Sequence, residues 1–151
     1  MAGQLSQKDI AGSLFSHWAD QFPLSVTTIY PGTRIETVSL TEWLELWIET
    51  WSRRAQRTTN KQVLDLTVSV HCFVKQGLDK SRIYELADAV RQTIAQKTVP
   101  IRDTSLSGTP VTGYLTLTEP ETHELTRNNI GSLQHAMQHL VITCRGIAQE
   151  I

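Results

Sequence analysis

Five histidines, two cysteines and four tryptophans are the residues of this 151-residue chain with which chemistry could begin. His135 and His139, four apart, would share one helical face at metal-ligand distance. The run Leu140, Val141, Ile142, Thr143 that follows favours a strand instead, and there the two rings stand about 13 Å apart, too far to hold one ion. Solvent-facing strand histidines are therefore expected, and neither a metal nor another cofactor is predicted. Cys72 and Cys144 supply neither a disulfide framework nor a zinc site, and both are expected to be reduced core residues. Ser105, Leu106, Ser107 and Gly108 lack the first glycine of a GxSxG turn, and the eight glycines form no phosphate cradle. No catalytic constellation follows, so enzymatic activity is not expected.

The tryptophans are more unusual. Residues 40–53 satisfy both periods. As a helix they align Leu40, Trp43, Leu44, Trp47 and Trp51; as a strand they put Trp43, Trp47 and Trp51 in a row with Glu45 and Glu49 between them. Under the strand reading the row is either covered by a helix or serves as an aromatic anchor for a neighbouring subunit. Arg53, Arg54, Arg57 and Lys61 concentrate positive charge just beyond it, whereas Glu36, Glu42, Glu45 and Glu49 make the preceding stretch acidic. A solvated tip is one reading of that pattern; pairing of basic and acidic edges between identical subunits in a ring is the other.

The elements that must position these residues read as follows. Ser6 is a candidate N-cap for a helix over 6–22, with Ile10, Leu14, Trp18 and Phe22 on one stripe and Pro23 at its stop. A β-like stretch over 26–30 meets the turn pair Pro31 and Gly32. Residues 64–74 alternate cleanly, with Leu64, Leu66, Val68, Val70, Cys72 and Val74 on the buried face, and Gly77 ends the strand. A second helix is expected over 81–96 on Ile83, Leu86, Ala87, Val90 and Ile94. After Pro100 the chain turns loop-like, and residues 101–113, including Arg102, Asp103, Ser105 and Leu106, are expected to order against a partner. Strands over 111–118 and 133–145 close the series, with Pro120, Asn128, Asn129 and Gly131 as turn residues between them. This order predicts one α+β domain over 1–151 with a mainly antiparallel sheet flanked by two helices.

Composition narrows the function. Fourteen basic against fifteen acidic residues give a net charge of −1, which supplies no bulk field for DNA or an anionic membrane. No apolar run approaches the ~20 residues of a membrane span, and the first residues lack the marks of a signal peptide, so a soluble protein made in the cytoplasm is expected.

The layout resembles that of the tailed-bacteriophage tail terminator, or tail completion, proteins. The cues are a helix ahead of Thr28 to Gly32, a Trp-led segment at 43–48, the strand at 64–70, Gly77 before a helix over 84–90, a loose loop and a final strand at 140–145. The resemblance implies a virion structural protein at the tail–neck junction: a hexameric ring that caps the tail tube, ends elongation and joins the tail to the head–tail connector or stopper. It also implies that Leu40 to Arg53 is β. Its expected partners are further copies of itself, the tail-tube protein and the connector, with DNA passing through the lumen and no sequence-specific recognition. Expected interface residues are Trp43, Glu45, Trp47, Glu49, Trp51, Arg53, Arg54, Arg57, Lys61, Arg102, Asp103, Ser105 and Leu106. Another head–tail joining or minor tail protein, and a small ligand-binding or enzymatic α+β domain, are the alternatives.

Overall fold

A computed structural model describes residues 5–54, 61–75, 79–126 and 137–151. The first helix, α1, spans Gln7–Gln21. Ser6 is extended, and its hydroxyl accepts the Asp9 N–H at 3.1 Å, which satisfies one of the donors that a helix start leaves open. Phe22 is extended too, as expected of a residue before proline. The Thr33 N–H then bonds to the Tyr30 carbonyl across Pro31 and Gly32, with Gly32 at φ +82°, where a side chain would be strained. The expected β stretch shrinks to β1, Thr28–Ile29.

Residues 40–53 form a strand, β2, over Glu42–Arg53. It pairs antiparallel along nearly its whole length with β3, Val63–Lys75. That ladder is the long-range term that periodicity could not weigh, and it outvotes the helix-favouring glutamates. All six predicted inward residues of β3, Leu64 to Val74 at alternate positions, are buried. Helix α2 follows over Ser81–Ile94, burying Ile83, Leu86, Ala87, Val90 and Ile94. The position expected of Gly77 lies outside the described residues.

Three expectations change beyond α2. Residues 101 and 102 are not loop: they end β4, Thr98–Arg102, with Pro100 at its centre. Proline cannot donate to a ladder but is tolerated on a strand with only one neighbour, and β4 is the terminal strand of the sheet. After β5, Val111–Leu117, a short unpredicted strand β6, Glu121–Glu124, adds to the sheet. The last strand, β7, runs over Met137–Glu150, five residues past the expected end. Gly146 lies inside it. A Cβ at that position would stand 3.0 Å from side-chain atoms of both Leu66 and Leu115, so a larger residue is crowded by packing, and no turn is involved. The expected beginning, 133–136, and the turn residues Asn128, Asn129 and Gly131 lie outside the described residues.

The sheet is mixed, in the order β1-β2-β3-β7-β5-β4, with β6 also beside β7. The β1–β2 pairing is parallel, and β2–β3, β3–β7, β7–β5, β5–β4 and β6–β7 are antiparallel. Buried residues of both helices join Leu64 to Val74, Val99, Ile101, Leu115, Leu117, Leu140, Ile142 and Cys144 in one apolar cluster on a single face of the sheet. The described residues thus form an α+β fold, mostly sheet, with two helices on one side. No helix among the described residues is long and apolar enough to cross a membrane.

Candidate functional site

The opposite face of the sheet carries the polar and aromatic residues that sequence singled out. Trp43, Phe73 and His139 occupy one row across β2, β3 and β7. Their rings stack, with centroids 5.0 Å apart for Trp43 and Phe73 and 4.2 Å for Phe73 and His139. Lys75 closes the end of the row: its Nζ lies 5.5 Å from the Trp43 ring and donates to the Thr37 carbonyl at 2.5 Å and the Val38 carbonyl at 3.0 Å. Trp43 is buried as a result, although its indole N–H has no hydrogen-bond partner among the described residues. Of the two readings of the row, a helix cover finds no helix on this face among the described residues, because α1 and α2 pack on the other one.

The next pair is one that the sequence did not bring together. His71 Nδ1 and His139 Nε2 are 2.9 Å apart, and a carboxylate oxygen of Glu49 stands 3.5 Å from His71 Nε2. One ring donates to the other, so a second proton between them would set two N–H groups face to face. Burial first, and then the His71 charge, hold His139 below the ordinary histidine value, while Glu124 acts in the opposite sense. His139 is therefore a half-buried stacking residue and not the solvent-facing histidine expected. The signal in the sequence was an outward-facing histidine on each of two long strands, but only their register makes them partners. His135 lies outside the described residues, and among those described no three His, Cys, Asp or Glu side chains gather as a metal site would require.

The tryptophan row itself is broken. Between Ile48 and Thr50 the β2–β3 register shifts by one residue at Glu49, a β-bulge. Before it, Trp43 and Trp47 face outward, opposite Phe73 and Ser69; after it, Trp51 lies opposite inward-facing Leu66 and packs against the apolar cluster. Trp51 thus leaves the candidate interface. Trp47 remains on it, 39% exposed.

The charged segments also rearrange. Glu42 accepts two 2.7 Å bonds from Arg82, which hold its carboxyl below the usual range, so it is not a free acidic group. Glu45 lies opposite His71 and is half-buried. At the basic end, Arg54 grips both oxygens of Asp65 at 2.7 and 2.9 Å, and Arg145 approaches the same carboxylate at 2.6 Å. Two guanidiniums on one carboxylate push the Asp65 pKa down and leave a positive surplus. Arg53 and Lys61 are exposed beside a recess of about 200 Å³, while Arg57 lies outside the described residues.

The expected docking loop is shorter, running from 103 to 110, and it is tied to itself. The Asp103 carboxylate accepts the Ser105 N–H at 2.9 Å and its hydroxyl at 2.5 Å, which lowers its pKa. The Asp103 N–H reaches the Pro110 carbonyl at 3.0 Å, and Leu106 is left half-exposed at the tip. Arg102 belongs to β4, where its backbone N–H donates to the Ser13 hydroxyl of α1 at 3.0 Å. A cleft of about 290 Å³ opens between α1 and β4, lined among others by Ser16, His17, Asp20 and Pro100. Both cysteines are unpaired and buried on the helix-covered face, where desolvation pushes their pKa values up to about 12 for Cys72 and about 11 for Cys144.

No family model matches the chain, and no curated protein resembles it in sequence. Its fold does recur: a solved chain designated only by a number superposes with a TM-score of 0.61 over 97% of each chain at 13% identity, a likeness of fold alone.

Proposed function

We propose that this chain is a virion structural protein of a tailed phage, a tail terminator whose copies close into a ring on the end of the tail tube and join it to the head–tail connector. The observation that carries this reading is the outer sheet face. No helix among the described residues covers it, it presents half-exposed Trp47, and it lies beside a basic end with a charge surplus. A face of that kind suits contact with other protein surfaces, where aromatic and arginine side chains dominate binding. The element order adds support, since the resemblance implies a mainly antiparallel sheet flanked by helices, and all the strand pairings but β1–β2 are antiparallel. On this reading the chain is not an enzyme, holds no cofactor, and binds itself and the tail-tube protein.

Sedimentation of the purified protein, alone and with assembled tail tubes, tests it. A closed oligomer that co-sediments with tubes is expected, and a monomer that ignores them overturns it. Deleting Ser105 to Thr109 should spare the oligomer and weaken tube binding. The cleft between α1 and β4 favours one competing reading, a ligand-binding domain. A thermal-shift screen separates the two, because a ligand at 100 times its Kd adds about 2.7 kcal/mol.

A further inference from the structure

We infer that the cleft between α1 and β4 docks the tail tube by taking an extended peptide segment of that partner, an acidic side chain of the segment meeting Arg102 and a basic one meeting Asp20. This inference rests on the reading above and names where the tube partner sits, beside α1 and apart from the outer sheet face. Arg102 and Asp20 both line the cleft, and neither has an ion-pair partner among the described residues. The Arg102 guanidinium reaches the Thr109 carbonyl at 3.3 Å. The neighbouring Asp103 does not neutralise it, because that carboxylate is engaged by the Ser105 N–H and hydroxyl. Two opposite charges left unpaired in one recess are a pattern that a complementary segment satisfies.

The two charges stand at opposite ends. The Ser13 hydroxyl holds the Arg102 N–H at 3.0 Å, which fixes Arg102 beside the first half of α1. Asp20 comes about two turns later on the same helix, about 10 Å further along its axis. An extended chain covers that span in about three residues. Thr109 lines the Arg102 end and belongs to the loop whose deletion is expected to weaken tube binding.

The walls suit a chain better than a small molecule. A small-molecule site encloses most of its ligand among apolar side chains, whereas Ser16, Asp20, Arg102 and Thr109 all remain exposed along this cleft. A segment that runs on beyond both ends needs no such enclosure. Backbone groups are on offer to it as well. The Lys97 carbonyl accepts the Leu117 N–H of β5 at 2.8 Å, so by strand alternation Pro100 turns its carbonyl away from β5, to the open side of β4. That carbonyl accepts no hydrogen bond among the described residues and can take an N–H of the segment. Gly12 leaves the approach clear: it sits inside α1 on the cleft wall, and a Cβ built there meets nothing within 4 Å. Packing therefore does not demand this glycine, although glycine weakens a helix.

Co-sedimentation with assembled tail tubes tests this. Gly12→Trp fills the cleft, while Asp20→Lys and Arg102→Glu each reverse one end. All three positions are exposed, so folded protein is expected by circular dichroism, and the closed oligomer should persist. Tube binding should weaken about tenfold or more in each variant. Should Gly12→Trp fail to fold, the two charge reversals decide alone. Oligomeric variants that bind tubes as wild type does overturn the cleft inference and leave the ring reading standing. Wild-type protein that stays monomeric and ignores tubes overturns both. A metabolite that raises the melting temperature of wild type but not of Gly12→Trp assigns the cleft to a small ligand and overturns the peptide.

Discussion

Strand β3 serves both faces of the sheet, and alternate residues along it meet opposite physics. Inward, Leu64, Leu66, Val68, Val70 and Cys72 are sealed under two helices in an aliphatic cluster where size and shape decide stability. Outward, Asp65, His71 and Phe73 take part in ion pairs, hydrogen bonds and ring stacking that leave side chains within reach of water and of other molecules. The first face holds the fold together; the second is where contacts with a partner can be made at little cost to it. Along one strand, a single residue step separates sealed aliphatic packing from polar and aromatic contacts open to solvent.

The strongest way to break that comparison is to put charge on the wrong side. Cys72→Asp should cost more than about 4 kcal/mol and leave the chain largely unfolded by circular dichroism, because the carboxylate has no partner there. Thr67→Asp on the outward side, opposite Arg145, should stay within about 1 kcal/mol of wild type. If urea unfolding found the two variants equal, the facing of β3 would be wrong.

Phe73→Ala sharpens the difference. Removing the central ring of the Trp43, Phe73 and His139 stack should cost about 2 kcal/mol in urea unfolding, less than for a fully buried phenylalanine, since Phe73 is only half-buried. A smaller, pH-dependent effect belongs to His139. Its folded pKa is depressed, so below the ordinary histidine value of about 6.5 the unfolded chain takes up a proton that the folded one resists. The stability that neutral His139 confers is full above that pH and is lost as the pH falls toward the folded pKa. Urea midpoints at pH 7.5 and 5.0 should therefore fall further for wild type than for His139→Phe. Trp47→Ser should have the least effect on stability, within about 0.5 kcal/mol, while reducing self-association measured by sedimentation.

Sequence was informative where a pattern is local. The Ser6 cap, the alternation in β3 and the apolar stripe of α2 each arise within one element, and each was read with its facing correct. It failed where a residue's meaning depends on a distant strand. Nothing near Glu49 announces a bulge, so Trp51 was read as continuing the row that Trp43 and Trp47 begin. Pro100 is ordinarily a breaker, yet it is tolerated on an edge, and β7 runs on through Gly146, packed closely against Leu66 and Leu115. Glu42 looked like free acid until α2 brought Arg82 to it. The polar strand β6 has no apolar alternation to reveal it.

The position of β7 also governs when the chain can fold. This strand bonds to β3, β5 and β6, yet it follows all of them in the sequence. During synthesis the earlier strands emerge from the ribosome with their central neighbour missing, and β3, which can pair at once with β2, must wait for its second partner some seventy residues away, as in the pairing of Val70 with Ile142. Contacts of such long sequence separation slow folding and leave strand edges bare in the interval. Nascent chains halted before residue 137 should therefore remain protease-sensitive and recruit chaperones, and resistance should arise in one step once β7 has cleared the exit tunnel.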